Sequence, residues 1–277
     1  YLMSKELSGR VKVVLQGDGG DELFAGYRRY AMLQNRQWWR LWPKNLFSPL
    51  LRAYGGEFGR RFTRITDSVG HSESALRMAY LLTVETPHFP PERFFNQDIR
   101  KQLHENTDPF MAYRQAASRF SDLDPVEQML LTDLTVQLPS QFLTKVDRAT
   151  MAAGIEARVP LLDESIAHLS VTMPSAWKVQ GLEKKVILRK SQLGRLPLDI
   201  INGPKTGFGV PYDRWIRTSL YKFAREQILD PSFSERFGLD LCAVESLLEK
   251  HRNGKTKRGF MLWKLLQLAL WHHHCKH

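Results

Sequence analysis

Cysteine is scarce in this sequence. Cys242 and Cys275 are the only two in 277 residues, and they form no CxxC pattern. Two lone thiols in a chain this long suit a reducing, cytoplasmic setting. Long apolar runs are also missing, as is a signal-peptide pattern, so no membrane partner is expected. There is no internal repeat, low-complexity tract or long linker. No single basic helix accounts for the net charge of +11. A basic balance can signal nucleic acid, anionic membrane or phosphorylated ligands. Here the charge is scattered over Arg28-Arg29, Arg60-Arg61, Lys184-Lys185 and Lys255-Lys257-Arg258, which read as solvated faces. Nucleic acid is therefore not an expected partner. An initiating methionine is absent too: the chain begins at Tyr1, and the expectation is an excised piece of something longer.

What is present is a globular composition, 43% hydrophobic and 11% aromatic with seven Trp. That supports a sizeable core in one large domain or two small ones and argues against disorder. The chain is organised around Val11 to Tyr27, VKVVLQGDGGDELFAGY. The β-branched run from Val11 to Leu15 predicts a buried strand of a parallel sheet. Gly17, Gly19 and Gly20 supply a turn that residues with a Cβ would resist. Asp21 and Glu22 then open a helical run through Leu23, Phe24, Tyr27 and Tyr30 to Gln34. In open α/β sheets, ligands bind outside the carboxyl ends of such strands.

The usual phosphate motifs do not fit this turn. A P-loop ends in Gly-Lys-Ser/Thr, whereas this one ends Gly20-Asp21-Glu22; a dinucleotide fingerprint needs glycine where Glu22 stands. Three carboxylates in five residues repel a bare phosphate. They suit a hard cation held between carboxylate and phosphate, because Mg²⁺ takes one or two carboxylates plus phosphate oxygens and water. The plainer alternative is that Asp18 and Asp21 cap turns and a helix N-terminus.

The rest of the chain predicts mostly helices. Ser72 begins a capped run to Thr83, Thr86 to Pro91 is a proline-punctuated loop, and 98–104 and 109–120 are short candidates. Asp124-Pro125-Val126-Glu127 is a helix start with an N-cap aspartate, Pro at the first position and an acid in the first turn. Pro139 is expected to break this helix, with another over Ser140 to Ala153. A basic helix follows over Glu183 to Gln192, then helices over 219–229, 239–252 and 259–272. Only one strand is convincing, and a lone strand is not stable. Its neighbours either precede Tyr1 or are unusual.

Two further stretches bear on chemistry. In Phe142 to Asp163, the charges Lys145, Asp147, Arg148, Glu156, Arg158 and Asp163 lie among Ala, Met, Val and Leu. Buried charges are paired, so a structural ion-pair network is the preferred reading. In Asn202 to Trp215, glycines at 203, 207 and 209 surround Lys205, which could swing onto a transferring phosphate or be a solvated lysine in a surface turn. The terminal His272-His273-His274 run is read as a frayed helix end, since adjacent histidines on a helix point apart and rarely share one ion.

GDGGDELFAGY, KVDRATMAAGIEARVPLLD, EKKVILRK and PKTGFGVPYDRW, in that order, resemble the synthetase domain of glutamine-hydrolysing asparagine synthetases. The resemblance covers about Val11 to Trp215 and continues more loosely to the terminus. It implies a chain that is mainly α with one parallel strand, the C-terminal portion (1–277) of an α/β adenine-nucleotide α-hydrolase-like (PP-loop ATPase) domain. It also implies that ATP activates the aspartate side-chain carboxylate as an acyl-adenylate. Ammonia, supplied through a tunnel by an N-terminal glutaminase domain, then displaces AMP. The cofactors implied are ATP and Mg²⁺, the setting is cytoplasmic, and a homodimer is among the assemblies the resemblance allows.

By position, the resemblance makes Asp21 the Mg²⁺ ligand on the pyrophosphate side. Asp18 becomes the catalytic acid assisting ammonia attack, with a shorter side chain than the glutamate often found there. Lys205 becomes the lysine that stabilises charge on the phosphates. Gly17, Gly19, Gly20 and Glu22 fall on the nucleotide side, with Glu22 behind the direct ligands, while Glu156 and Arg158 are pocket scaffold. The chain departs from the family pattern in lacking the Ser-Gly-Gly-x-Asp-Ser pyrophosphate loop, the glutaminase domain and its N-terminal cysteine. The isolated 277 residues are therefore expected neither to hydrolyse glutamine nor to form asparagine. Two alternatives stay open. One is a paralogue amidating another carboxylate, as β-lactam synthetases do. The other is a non-catalytic binding or regulatory module of the same fold.

Overall fold

The computed structural model describes residues 1–41, 62, 65–66, 68–82, 91–106, 108, 110–203 and 209–275. The chain forms two compact units, one of residues 1–83 with 110–204 and one of 84–109 with 205–277. Among the described residues no helix is long and apolar enough to cross a membrane. The expected loop at Thr86 to Pro91 lies outside the described residues except for Pro91.

In the first unit the opening strand finds a partner from far along the sequence. β1 (Val13–Leu15) pairs in parallel with β2 (Glu156–Arg158), with Val13 opposite Glu156 and Leu15 opposite Arg158. The ladder continues at both ends, where Glu156 N donates to Lys12 O at 2.9 Å and Gln16 N donates to Arg158 O at 2.8 Å. A second strand was needed, and the EAR segment supplies it from inside the charged stretch. The expectation of a buried strand is corrected, however: Leu15 is 72% exposed, and Val11 and Val13 are also solvent-facing. Among the described residues the sheet has two strands, so much of its apolar surface lies uncovered.

The predicted helix from Asp21 to Gln34 is two helices, Gly20–Leu23 and Arg28–Gln34. Between them Ala25 takes a left-handed φ of 55°, and Gly26 N donates to Asp21 O at 2.8 Å, closing the first helix early. The expected break at Pro139 does not occur. Asp124 caps the helix Pro125–Thr132 through bonds from Val126 N and Glu127 N, as predicted. That helix then widens into a π-helix, Asp133–Leu143, with Pro139 inside it, and continues as the helix Thr144–Met151. Proline removes one donor from the ladder. The carbonyl of Pro139 itself accepts from Thr144 Oγ1 at 2.8 Å.

The core of this unit packs Tyr30, Ala31 and Leu33 against Met78, Met129, Leu130 and Val179. The predicted basic helix is shorter than expected. A hairpin of β3 (Val179–Gln180) and β4 (Glu183–Lys184) precedes the helix Val186–Ser191.

The second unit is helical. Helices Tyr212–Arg217, Tyr221–Ile228, Pro231–Phe237, Leu241–Arg252 and Gly259–His274 surround Ile216, Ile228, Phe233, Leu248 and Leu262. Buried His251 ties three segments together. Its Nε2 is 3.0 Å from Asp213 O, and Arg258 N donates to its Nδ1 at 3.2 Å. The terminal helix does not fray at His272, which is buried against Phe233 and Phe237.

Candidate functional site

The acidic turn leaves the carboxyl end of β1. Gly19 sits in the left-handed region, at φ 85°, and immediately precedes the helix Gly20–Leu23. There is no room for a side chain at this point: a Cβ on Gly19 would strike the Leu162 side chain, and one on Gly20 would strike Leu161. The short 3-10 turn Pro160–Leu162 thus lies directly on the glycine turn. Two stretches far apart in sequence, 17–22 and 160–162, meet here beside the β1–β2 pairing. Gly17 is different, since a Cβ there would meet nothing within 4 Å.

The three carboxylates have different surroundings. Asp18 Oδ2 is buried and has no hydrogen-bond partner among the described residues. Asp21 Oδ1 lies 2.7 Å from Lys185 Nζ. Lys185 itself holds a left-handed backbone, φ 56°, at the start of the helix Val186–Ser191. Gly26 completes this arrangement, because a Cβ on it would strike both Asp21 Oδ1 and Lys185 Cε. Glu22 is buried and accepts from the Tyr27 hydroxyl at 2.6 Å. Burial first, and then the bond to Glu22, raise the Tyr27 pKa.

A buried network braces the chain just after the turn. The Arg29 guanidinium lies over the Tyr27 ring, 3.9 Å from its centroid, and pairs with Asp133 Oδ2 at 2.8 Å. The Tyr30 hydroxyl donates to that same oxygen at 2.5 Å, while Asp133 Oδ1 is buried without a hydrogen-bond partner among the described residues. Desolvation outweighs the Arg29 cation, so the Asp133 carboxyl is pushed up to about 6. Asp133 opens the π-helix, and widened helical turns of this kind recur at functional sites.

Among the described residues no three His, Cys, Asp or Glu side chains converge as a metal site. Asp18 and Asp21 are the carboxylates that could share a cation with phosphate oxygens and water. Asp18 keeps a bare buried oxygen that such an ion would satisfy, while the Lys185 ammonium already neutralises Asp21 Oδ1 and competes with a cation there. Lys205 lies outside the described residues.

The expected buried ion-pair network in 142–163 is corrected. Lys145, Asp147 and Arg148 are exposed, and the Glu156–Arg158 pair, 2.8 Å apart, is exposed as well. Its members sit two apart on a strand, so they share one solvent-facing side. Asp163 caps the next helix by accepting from Ser165 N at 3.0 Å. Sequence reasoning missed Lys185, Gly26 and Asp133. Lys185 stood inside the EKKVILRK motif, and Gly26 inside GDGGDELFAGY. Asp133 carried no signal beyond being an acid in an apolar helix.

Comparison with known proteins bears on this site. The asparagine synthase family model matches residues 1–273. The chain is 26% identical over 276 residues to asparagine synthetase [glutamine-hydrolyzing] 1 of Bacillus subtilis (strain 168), covering 98% of this chain and 42% of that protein. It is 28% identical over 277 residues to putative glutamine-hydrolyzing asparagine synthetases of Mycobacterium bovis and Mycobacterium tuberculosis, covering 98% of this chain and 41% of each. The chain therefore spans about two fifths of the length of these curated relatives. No solved structure matches it.

Proposed function

The chain belongs to the asparagine synthase family, and from that premise we propose that it is the C-terminal portion of the synthetase domain of an ATP-dependent amide ligase. In the whole protein this domain activates a carboxylate, aspartate in the first instance, with ATP. Ammonia from glutamine then forms the amide. The parallel β1–β2 pair, with a glycine turn at its carboxyl end, supports an α/β adenine-nucleotide α-hydrolase-like sheet as its setting.

The observation that carries this reading is the pair of acids at the turn. Asp18 holds a buried oxygen without a hydrogen-bond partner, and Asp21 is held by a lysine. The bare oxygen of Asp18 suits an N–H donor such as attacking ammonia, and Asp21 beside it suits a cation on phosphate oxygens. Mg²⁺ bound there would screen the leaving pyrophosphate and lower the barrier between two anions. Asp21 would hold it, Asp18 would face the reacting carboxyl carbon and orient ammonia, and Lys205 would stabilise charge on the reacting phosphoryl group. Lys185 keeps Asp21 in one rotamer. Glu22 and Tyr27, backed by Arg29 and Asp133, hold the turn from behind.

The test is pyrophosphate release by the full-length protein with a panel of acids. Aspartate should drive release above every other acid. Release driven by a different carboxylate would replace the substrate and leave the chemistry standing; release driven by none would overturn both.

A further inference from the structure

A pocket is lined in part by Glu22 and Leu23 of the short helix that follows the acid turn. Its volume is about 260 Å³, with Leu130, Leu131, Leu134, Val171 and Met173 on its apolar side and Glu22, Glu127 and Lys178 as its charged groups. All of these residues belong to the first unit. Lys178 ends the helix Ser175–Lys178 and is only 3% exposed. Among the described residues it makes no hydrogen bond or ion pair. Burial lowers its pKa, with Glu127 and Asp124 opposing. A lysine side chain buried to this degree is ordinarily paired, and this one has no acceptor among the described residues.

The other charged groups of the pocket already have donors. Glu22 accepts from the Tyr27 hydroxyl at 2.6 Å, and Glu127 accepts from Ser175 N at 3.2 Å. The Ser170 hydroxyl is committed to Leu23 O at 2.7 Å. What the pocket lacks is one acceptor for Lys178. The two acids disfavour a second negative charge, and the leucine, valine and methionine walls favour a short hydrocarbon body. The volume exceeds the roughly 150 Å³ cavity that holds benzene.

We propose that this pocket binds a small branched aliphatic monocarboxylate, its carboxylate on Lys178 and its alkyl body against Leu130, Leu131, Leu134 and Met173. The binding claim stands apart from the ligase reading and is tested without catalysis.

The probe is 4-methylpentanoate, titrated into the full-length protein by calorimetry and ligand-observed NMR. The controls are 3-methylbutylamine and 3-methylbutanol, which keep the alkyl body and change the head group. Saturable binding of the carboxylate is expected, with neither control binding comparably. Lys178→Met should weaken it at least tenfold while circular dichroism and the melting profile stay those of a folded protein. Val171→Phe, at a position 43% exposed, narrows the pocket without touching the core and should weaken it similarly. No saturable binding of the carboxylate, equal binding of the amine, or binding unchanged by both substitutions would each overturn the proposal.

Discussion

Lys185 Nζ and Asp21 Oδ1 stand 2.7 Å apart, and the chain leaves no room beside them, since a Cβ on Gly26 would strike both side chains. Gly26→Ala should therefore damage the site without touching a charged group. The added methyl must push Asp21 off its rotamer or drive Lys185 away. If Asp21 serves the phosphates, a displacement of about 1 Å costs on the order of 100-fold in kcat. Steady-state kinetics on the full-length protein would check this, with a melting curve to separate catalysis from folding. Wild-type kcat in the variant would mean that the Asp21–Lys185 contact is irrelevant to the reaction.

Lys185 is strained as well as charged, with its backbone at φ 56°. Only glycine adopts that region freely, and other residues pay about 1 kcal/mol. Lys185→Ala and Lys185→Gly remove the same ion pair, yet they should differ in stability by about 1 kcal/mol, glycine being the more stable. Urea melts of the two variants measure the difference. Equal stabilities would place the strain elsewhere.

Asp133 gives a pH signature. Its carboxyl is raised from the ordinary 3.8 to about 6 by burial. Between those values the folded chain holds a proton that the unfolded chain has released. Stability from this group is therefore full below about pH 4 and falls as pH rises through 6. The slope is at most about 1.4 kcal/mol per pH unit for one proton. Asp133→Asn keeps an oxygen acceptor for Tyr30 and Arg29 and has no carboxyl to titrate. The stability difference between wild type and variant should shrink from pH 4 to pH 7. A difference that widens over that range would show that Arg29, rather than desolvation, governs this carboxyl.

His251 should matter to the second unit alone. Its two ring nitrogens join Asp213 and Arg258, and it is fully buried. His251→Leu leaves a carbonyl and an N–H without their partner and should cost about 2–4 kcal/mol. Hydrogen exchange should speed up across the helices of 212–274. Equal acceleration over both units would mean they unfold together.

Particular residues explain how much was legible beforehand. The acid turn could be read because its glycines and carboxylates lie within six residues, 17–22, and local geometry is written locally. The Asp124 cap and Pro125 start were legible for the same reason. The partner of β1 was not, because EAR is three residues long, is charged, and is exposed on one side, so it carries neither the run nor the alternation that marks a strand. Pro139 misled because proline ends most helices, whereas this one widens and accepts it. Lys185 escaped notice because its partner is 164 positions away, and only the fold brings the two together. Burial of β1 was over-read, since a β-branched run reports strand propensity and says nothing of what covers it.

The measurement closest to the central claim is ATP–pyrophosphate exchange by the full-length protein with aspartate and Mg²⁺ present, comparing wild type with Asp21→Asn. Wild type should exchange label. The variant should lose on the order of 100- to 1,000-fold, as expected when one group stabilising transition-state charge is removed, and excess Mg²⁺ should restore part of the loss. Undiminished exchange in Asp21→Asn would contradict the account, because the acid turn would then have no part in handling the phosphates.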